Sequence, residues 1–169
     1  MNIEILELKE EHIAPYKVEN FLFKMIKENY NLDYVPSYHY DIKNLYKYYI
    51  EPPENNFYIV IDKESNKLIG TSGIRSYDKN YNLNNRKYNK NDTATLYRLF
   101  VEKDYRHNKI ATQMINIIEN FCKNKGYKEI YLHTQKNSYG ALPFWLKQNY
   151  NIIYDTLNNL GTIHMEKIL

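Results

Sequence analysis

The segment from Ala94 to Gln135 constrains the fold more than any other part of the chain. Ala94–Val101 (ATLYRLFV) has the length and the apolar and aromatic content of a buried strand. From about Lys109 to Lys125 the apolar residues Ala111, Met114, Ile115, Ile118, Phe121 and Cys122 recur in steps of three and four, the stripe of an amphipathic helix. Gly126 is its natural stop. Lys128–Gln135 (KEIYLHTQ) reads as a second strand. Strand, helix and strand in that order make a parallel pair joined by a right-handed crossover.

The remaining elements read outward from this unit. Ile3–Leu8 predicts a strand, and residues 10–30 a helical region with Ile13, Val18, Phe21, Leu22, Met25 and Ile26 on one face. Residues 34–40 read as a loop. Asp41 is placed to N-cap a second helix, which Pro52-Pro53 stops. Phe57–Asp62 and Leu68–Arg75 predict an antiparallel hairpin turned at Lys63–Asn66. Residues 78–92 form a polar loop of unusual length, either mobile or functional. A shorter helix runs from near Ser138 to Lys147, and strands at 150–156 and 162–168 close the chain. The expected fold is α/β (α+β): a mixed central sheet of about seven strands flanked by four helices. No repeat or linker divides it, so residues 1–169 are expected to form a single domain.

Composition removes several function classes. A lone cysteine, Cys122, forms no internal disulfide and has no metal-ligand spacing. It sits on the apolar stripe, so a core role is expected, in a reducing, cytoplasmic setting. The N-terminus carries early acidic residues and no long apolar run, as neither a signal peptide nor a membrane anchor does. A net charge of +3 does not point to nucleic acid. Residues 1–84 hold 10 Lys/Arg against 13 Asp/Glu, and residues 85–169 hold 13 against 7. An anionic ligand suits the second half and a cationic one the first. The 19 tyrosines accompany heavy use of Asn, Lys and Ile throughout, a coding bias rather than a site.

The chemistry is expected where the strand at 94–101 feeds the long helix. Helix N-termini expose backbone N–H groups without intrahelical partners, and the helix dipole favours an anion there. Arg106, His107 and Lys109 add positive charge.

Arg106-His107-Asn108-Lys109-Ile110-Ala111 resembles the motif of the GNAT acetyltransferase superfamily, Arg/Gln-x-x-Gly-x-Gly/Ala at the start of a helix. Arg106 and Ala111 match, and Lys109 stands where the family usually has glycine. Ala141-Leu142-Pro143-Phe144-Trp145-Leu146-Lys147-Gln148-Asn149-Tyr150 resembles the family's Ala-x-x-Phe-Tyr-x-Lys-x-Gly-Phe segment, matching at Ala141, Phe144 and Lys147. The hairpin with Ile69-Gly70-Thr71 and the ending His164–Leu169 extend the resemblance over nearly the whole chain.

The resemblance implies a GNAT fold with splayed parallel strands 4 and 5 and acetyl-CoA as acyl donor, without a metal. The pantetheine arm would bond to backbone groups at Leu99, Phe100 and Val101. The pyrophosphate would sit on Arg106, His107, Asn108, Lys109, Ile110 and Ala111, with Thr112 near by. Asn137, Ser138, Phe144 and Lys147 would complete the cofactor site. Asn137 and Ser138 have the alternative of capping the last helix. An amine acceptor would attack the thioester directly, while a backbone N–H polarises the carbonyl.

The base and the acid are less determined. The tyrosine that protonates the thiolate in many relatives is Trp145 here, and the position of their glutamate base is Thr95. An indole donates a hydrogen bond but no proton at neutral pH. Tyr139 is the nearest phenol for the acid role, and His133 has the titration range of a base. Glu102 or Asp104 offers a water-mediated route, or else caps the turn before the helix. Tyr38, His39 and Tyr40 would contact the acceptor or simply pack as an aromatic loop. Neither a homodimer nor a monomer is favoured. Two alternatives stay open: an acyl-CoA-binding sensor without turnover, and an enzyme that acetylates aminoacyl-tRNA or protein N-termini.

Overall fold

Strand β1 (Ile3–Glu7) pairs antiparallel with β2 (Asn56–Asp62), and β2 with β3 (Lys67–Ser76). β4 (Thr93–Val101) pairs with β5 (Glu129–Gln135) in parallel, as the crossover pattern requires. β5 pairs antiparallel with β7 (Thr162–Ile168), and β7 with β6 (Asn151–Asp155). The result is a seven-stranded mixed sheet in the order β1-β2-β3-β4-β5-β7-β6. This computed structural model describes residues 1–169, which divide into two compact units.

The first unit comprises Met1–Arg75 and Tyr97–Asn116. Its expected first helix is two helices, α1 (Glu10–Ile13) and α2 (Val18–Tyr30). Pro15 has no N–H to continue the ladder, and Lys17 turns the chain through a left-handed φ of 50° before α2 starts. Asn31, also left-handed, closes α2 by donating its N–H to the Lys27 carbonyl. Val18, Phe21, Leu22, Met25 and Ile26 pack on Phe57, Ile59 and Ile61 of β2. The other face of β2 carries Val60, which packs with Ile69, Ile110 and Met114. Both faces are covered, so every residue of β2 is buried.

The expected loop at 34–40 holds a helical turn, α3 (Pro36–His39). The second expected helix is a 3-10 turn at Ile42–Asn44 followed by a π-helical turn at Tyr46–Ile50. Asp41 caps nothing with its side chain. The carboxylate instead turns into the interior, where an arginine of β4 pairs with it.

The second unit comprises Ser76–Leu96 and Ile117–Leu169. Here α4 (Ile110–Lys125), which begins in the first unit, buries Ile118 and Cys122. Burial, with Glu119 close by, pushes the Cys122 thiol up to about 12. The long loop at 78–92 is anchored rather than loose. Tyr77, Leu83 and Tyr88 cluster on Tyr131, and Arg86 and Tyr88 both bond Glu166, at 2.9 and 2.7 Å. Helix α5 (Ala141–Lys147) starts three residues later than its sequence pattern, behind Gly140 at a φ of 75°.

Candidate active site

β4 does not run evenly to its end. Arg98 has a φ of 56°, the left-handed conformation that accompanies a β-bulge and that side chains adopt at a cost. The hydroxyl of Thr71 donates to the Arg98 carbonyl at 2.8 Å and holds the distortion. Beyond it, the Phe100 carbonyl lies so close to Gly70 that a Cβ there would stand 3.1 Å away, and the Glu102 N–H donates to the Ile69 carbonyl. Phe100 and Glu102 thus turn their main-chain groups toward β3. By strand alternation, Leu99 and Val101 turn theirs to the opposite edge. The ladder to β5 contains three residue pairs, from Thr93↔Glu129 to Thr95↔Tyr131, and ends before those residues.

A 3-10 turn, Lys103–Tyr105, links β4 to the loop before α4. Glu102, expected to cap this turn or relay a proton through water, makes no side-chain cap. It is buried between Lys24 at 2.8 Å and Lys67 at 2.9 Å. Burial alone would push its carboxyl up, but the two ammonium groups hold it below the usual range. Arg106 donates to the Val101 carbonyl at 3.0 Å and to Asn29 at 3.1 Å, so its side chain ties the loop to β4 and α2. The Asn108 amide donates to the carbonyls of Tyr105 and Arg106.

Inside this brace, His107 and Lys109 adopt φ values of 65° and 61°. The first backbone bond of α4 runs from the Gln113 N–H to the Lys109 carbonyl, and the amides of His107 through Ala111 donate to no backbone carbonyl. Five consecutive main-chain donors therefore stand open at a positive helix end, beside exposed Arg106, His107 and Lys109. Such an array of donors suits a diphosphate.

The acetyltransferase (GNAT) family model matches residues 20–150. The chain belongs to that family. No curated protein matches its sequence. Among solved structures, a GNAT-family acetyltransferase from Staphylococcus aureus Mu50 superposes with a TM-score of 0.77 at 21% identity, over 99% of each chain. The PaiA N-acetyltransferase of Thermoplasma acidophilum, solved with coenzyme A, gives 0.72 at 20% identity over 100% of each chain. An aminoglycoside 6'-N-acetyltransferase, also complexed with coenzyme A, gives 0.70 at 19% identity, covering 98% of this chain and 96% of its own.

The GNAT motif explains the left-handed Lys109: the family's glycine position has a glycine's backbone here, with a lysine on it. In the second unit, the Trp145 ring is buried and packs edge-on against Phe144 and Tyr150. Phe144 is half-buried and Lys147 exposed. Asn137 does not cap α5 but donates to the Asn159 carbonyl at 3.0 Å, and the cap position belongs to Gly140. Tyr139 is fully exposed. His133 is exposed and lies across the ladder from His164, with the Tyr81 ring edge-on to both.

Of the three expected acceptor contacts, Tyr38 is exposed and Tyr40 half-buried. His39 is buried and accepts the Val35 N–H at its Nδ1. Burial, then the charge of Arg98, lowers its basicity. Nothing in the residue pattern signals what lies beneath them. Asp41 is buried and accepts a forked pair from Arg98 (3.1 and 2.7 Å) and the Tyr49 hydroxyl at 2.6 Å. Burial pushes its carboxyl up, and Arg98, Tyr49 and Arg75 outweigh that and hold it low. Arg75, also buried, stacks against Tyr97 at 4.3 Å and Tyr48 at 5.2 Å. A separate cavity of about 350 Å³, lined by Ile13, Glu19 and residues 42–47, shares none of the expected site residues.

Proposed function

We propose that the chain transfers the acetyl group of acetyl-CoA to a primary amine by direct attack on the thioester. The observation that carries this reading is the open run of amides from His107 to Ala111, placed directly after a strand whose Leu99 and Val101 main-chain groups face away from β3. The diphosphate would take the amides, with Arg106, His107 and Lys109 adding charge and Thr112 bordering them. The pantetheine arm would bond to main-chain groups of Leu99 and Val101 as a strand partner would, whereas Phe100, expected to join them, turns its own toward β3. A β4 N–H would then face the thioester oxygen and stabilise the oxyanion that forms there.

The acceptor nitrogen, after losing a proton, forms its bond to the carbonyl carbon. The carbon–sulfur bond breaks and CoA leaves as thiolate, which takes up a proton. We further propose that residues 1–169 act as one catalytic domain in a reducing cytoplasm. Two facts support this: β4 and α4 each run from one unit into the other, and the lone cysteine is buried. No helix is long and apolar enough to cross a membrane.

The test is acetyl-CoA titration by calorimetry combined with thiol release over a panel of amines. Micromolar binding with amine-dependent release is the expected result. Absence of binding at millimolar acetyl-CoA overturns the reading, and tight binding without release by any amine makes the chain a sensor instead. His133→Ala and Tyr139→Phe in the same assay decide whether either residue moves a proton: loss of about 100-fold or more in kcat identifies a general acid or base.

A further inference from the structure

The mechanism above leaves Arg98 unused, although it immediately precedes Leu99 of the thioester strand. Its guanidinium is spent on one side only. Nε and Nη2 fork onto Asp41, and Nη2 also donates to the Tyr38 carbonyl at 2.7 Å. Nη1 makes no hydrogen bond, and the side chain keeps 16% of its surface exposed. Asp41, in contrast, is buried and saturated by Arg98 and Tyr49, so it offers nothing to a ligand. Arg98 therefore keeps one charged nitrogen, Nη1, unpaired on a partly exposed side chain, while a buried carboxylate holds the guanidinium through its other two nitrogens.

The surroundings suit a small organic anion. Tyr38 and Tyr30 are exposed aromatic residues beside Arg98: the first is bonded to it through its carbonyl, and the second feels its charge. Arg75 is only 2% exposed and cannot join Arg98 in gripping a ligand. A single available charged donor matches a carboxylate better than a phosphate dianion, which draws clusters of cations. It also opposes any acceptor that carries further ammonium groups, since a second positive charge would lie against the guanidinium.

Building on the acetyl-transfer reading, we propose that the acceptor is a primary amine that also bears a carboxylate, and that the unpaired Nη1 of Arg98 binds that carboxylate while the amine reaches the thioester at β4. Free amino acids and the C-terminal carboxylates of short peptides share this chemistry.

The test uses the wild-type chain with matched probes: L-amino acids, their carboxamides, the corresponding dipeptides, and spermidine. Thiol release gives kcat/KM for each, and calorimetry on the CoA complex gives binding where turnover is slow. The carboxylate member of each pair should exceed its carboxamide by tenfold or more. Preference for the free amino acid over the dipeptide identifies the first source, and the reverse identifies the second. Equal values within a pair, a preference for carboxamides or spermidine, or no binding by any carboxylate member overturns the inference. Arg98→Lys keeps a cation for Asp41 and removes Nη1, so the ratio should collapse to within about threefold while acetyl-CoA affinity holds. A ratio that survives this change also overturns the inference. Acetyl-CoA titration of the same samples separates the two readings: intact binding and transfer without carboxylate preference refutes only the inference, and loss of acetyl-CoA binding refutes the acetyltransferase reading itself.

Discussion

Replacing Lys109 by glycine should make the protein more stable without weakening its hold on acetyl-CoA. Lys109 sits at a φ of 61°, in the turn that opens α4. A side chain in that region costs roughly 1–2 kcal/mol, from the approach of Cβ to the following carbonyl. Glycine removes this cost but has more freedom to lose on folding, which takes back roughly 0.5–1 kcal/mol. The net gain is about 0.5–1 kcal/mol. A chain of this size gains about 2–4 °C per kcal/mol, so Tm should rise by about 1–4 °C. Lys109 is exposed and takes part in no ion pair, so no contact offsets the gain. Urea denaturation and calorimetric melting measure the effect, and Lys109→Ala is the control. Alanine keeps Cβ and the strain while removing the charge, so it should gain nothing. A less stable glycine variant, or an alanine variant that gains equally, would refute the backbone argument. Acetyl-CoA affinity should stay within about threefold, because the amides from His107 to Ala111 keep their arrangement. A loss beyond about tenfold would show that the lysine ammonium itself grips phosphate.

Asp41→Asn should destabilise the fold by about 3–5 kcal/mol in urea denaturation, the usual cost of leaving a buried charge without its partner; a loss below about 1 kcal/mol would mean the Arg98 pair is dispensable. Stability should also fall with acid in two steps. His39 and His164 are held below the ordinary histidine value by burial, so the unfolded chain takes up their protons first and Tm should decline as pH drops from about 6.5. Asp41 is held low, so its contribution is complete above about pH 4 and lost as pH falls through its depressed folded value. Melting scans should find this second step flattened in Asp41→Asn. Gly73→Ala would place Cβ 2.7 Å from Tyr49 Cε1 and 2.9 Å from Phe57 Cδ2, two rings wedged in the core. The overpacking should cost about 1–3 kcal/mol by urea denaturation and leave acetyl-CoA affinity unchanged.

The elements whose residues repeat with a clean period were readable from the chain alone. The α4 stripe from Ala111 to Cys122 and the runs FYIVID, LIGTSGIR and ATLYRLFV lie within a residue or two of their structural limits. Elements set by a single residue were harder. Pro15 breaks the first helical region inside an otherwise continuous apolar pattern. Asp41 looked like a cap because capping is the local option for a carboxylate, whereas its actual partner, Arg98, is distant in sequence. The loop that opens α4 was legible through Arg106 and Ala111, but that Lys109 would keep the conformation of the glycine usual at its position could not be read from residue identity. Arg98 carried no signal, since an arginine within an apolar strand looks like an ordinary edge or surface position. Its left-handed backbone and its buried partner are properties of the folded chain.

Position 98 is pulled two ways. Its backbone would be best served by glycine, and the carboxylate beneath it only by a long cation. Neither residue satisfies both demands, so the protein keeps a conformationally disfavoured arginine whose torsion is held by its ionic tether together with the Thr71 hydroxyl. Removing the tether should therefore do more than unbalance a charge: it should let the end of β4 relax toward ordinary extended geometry. Leu99 and Val101 would then swing out of register with the edge they now face, so a buried aspartate more than fifty residues upstream would govern how straight β4 can be.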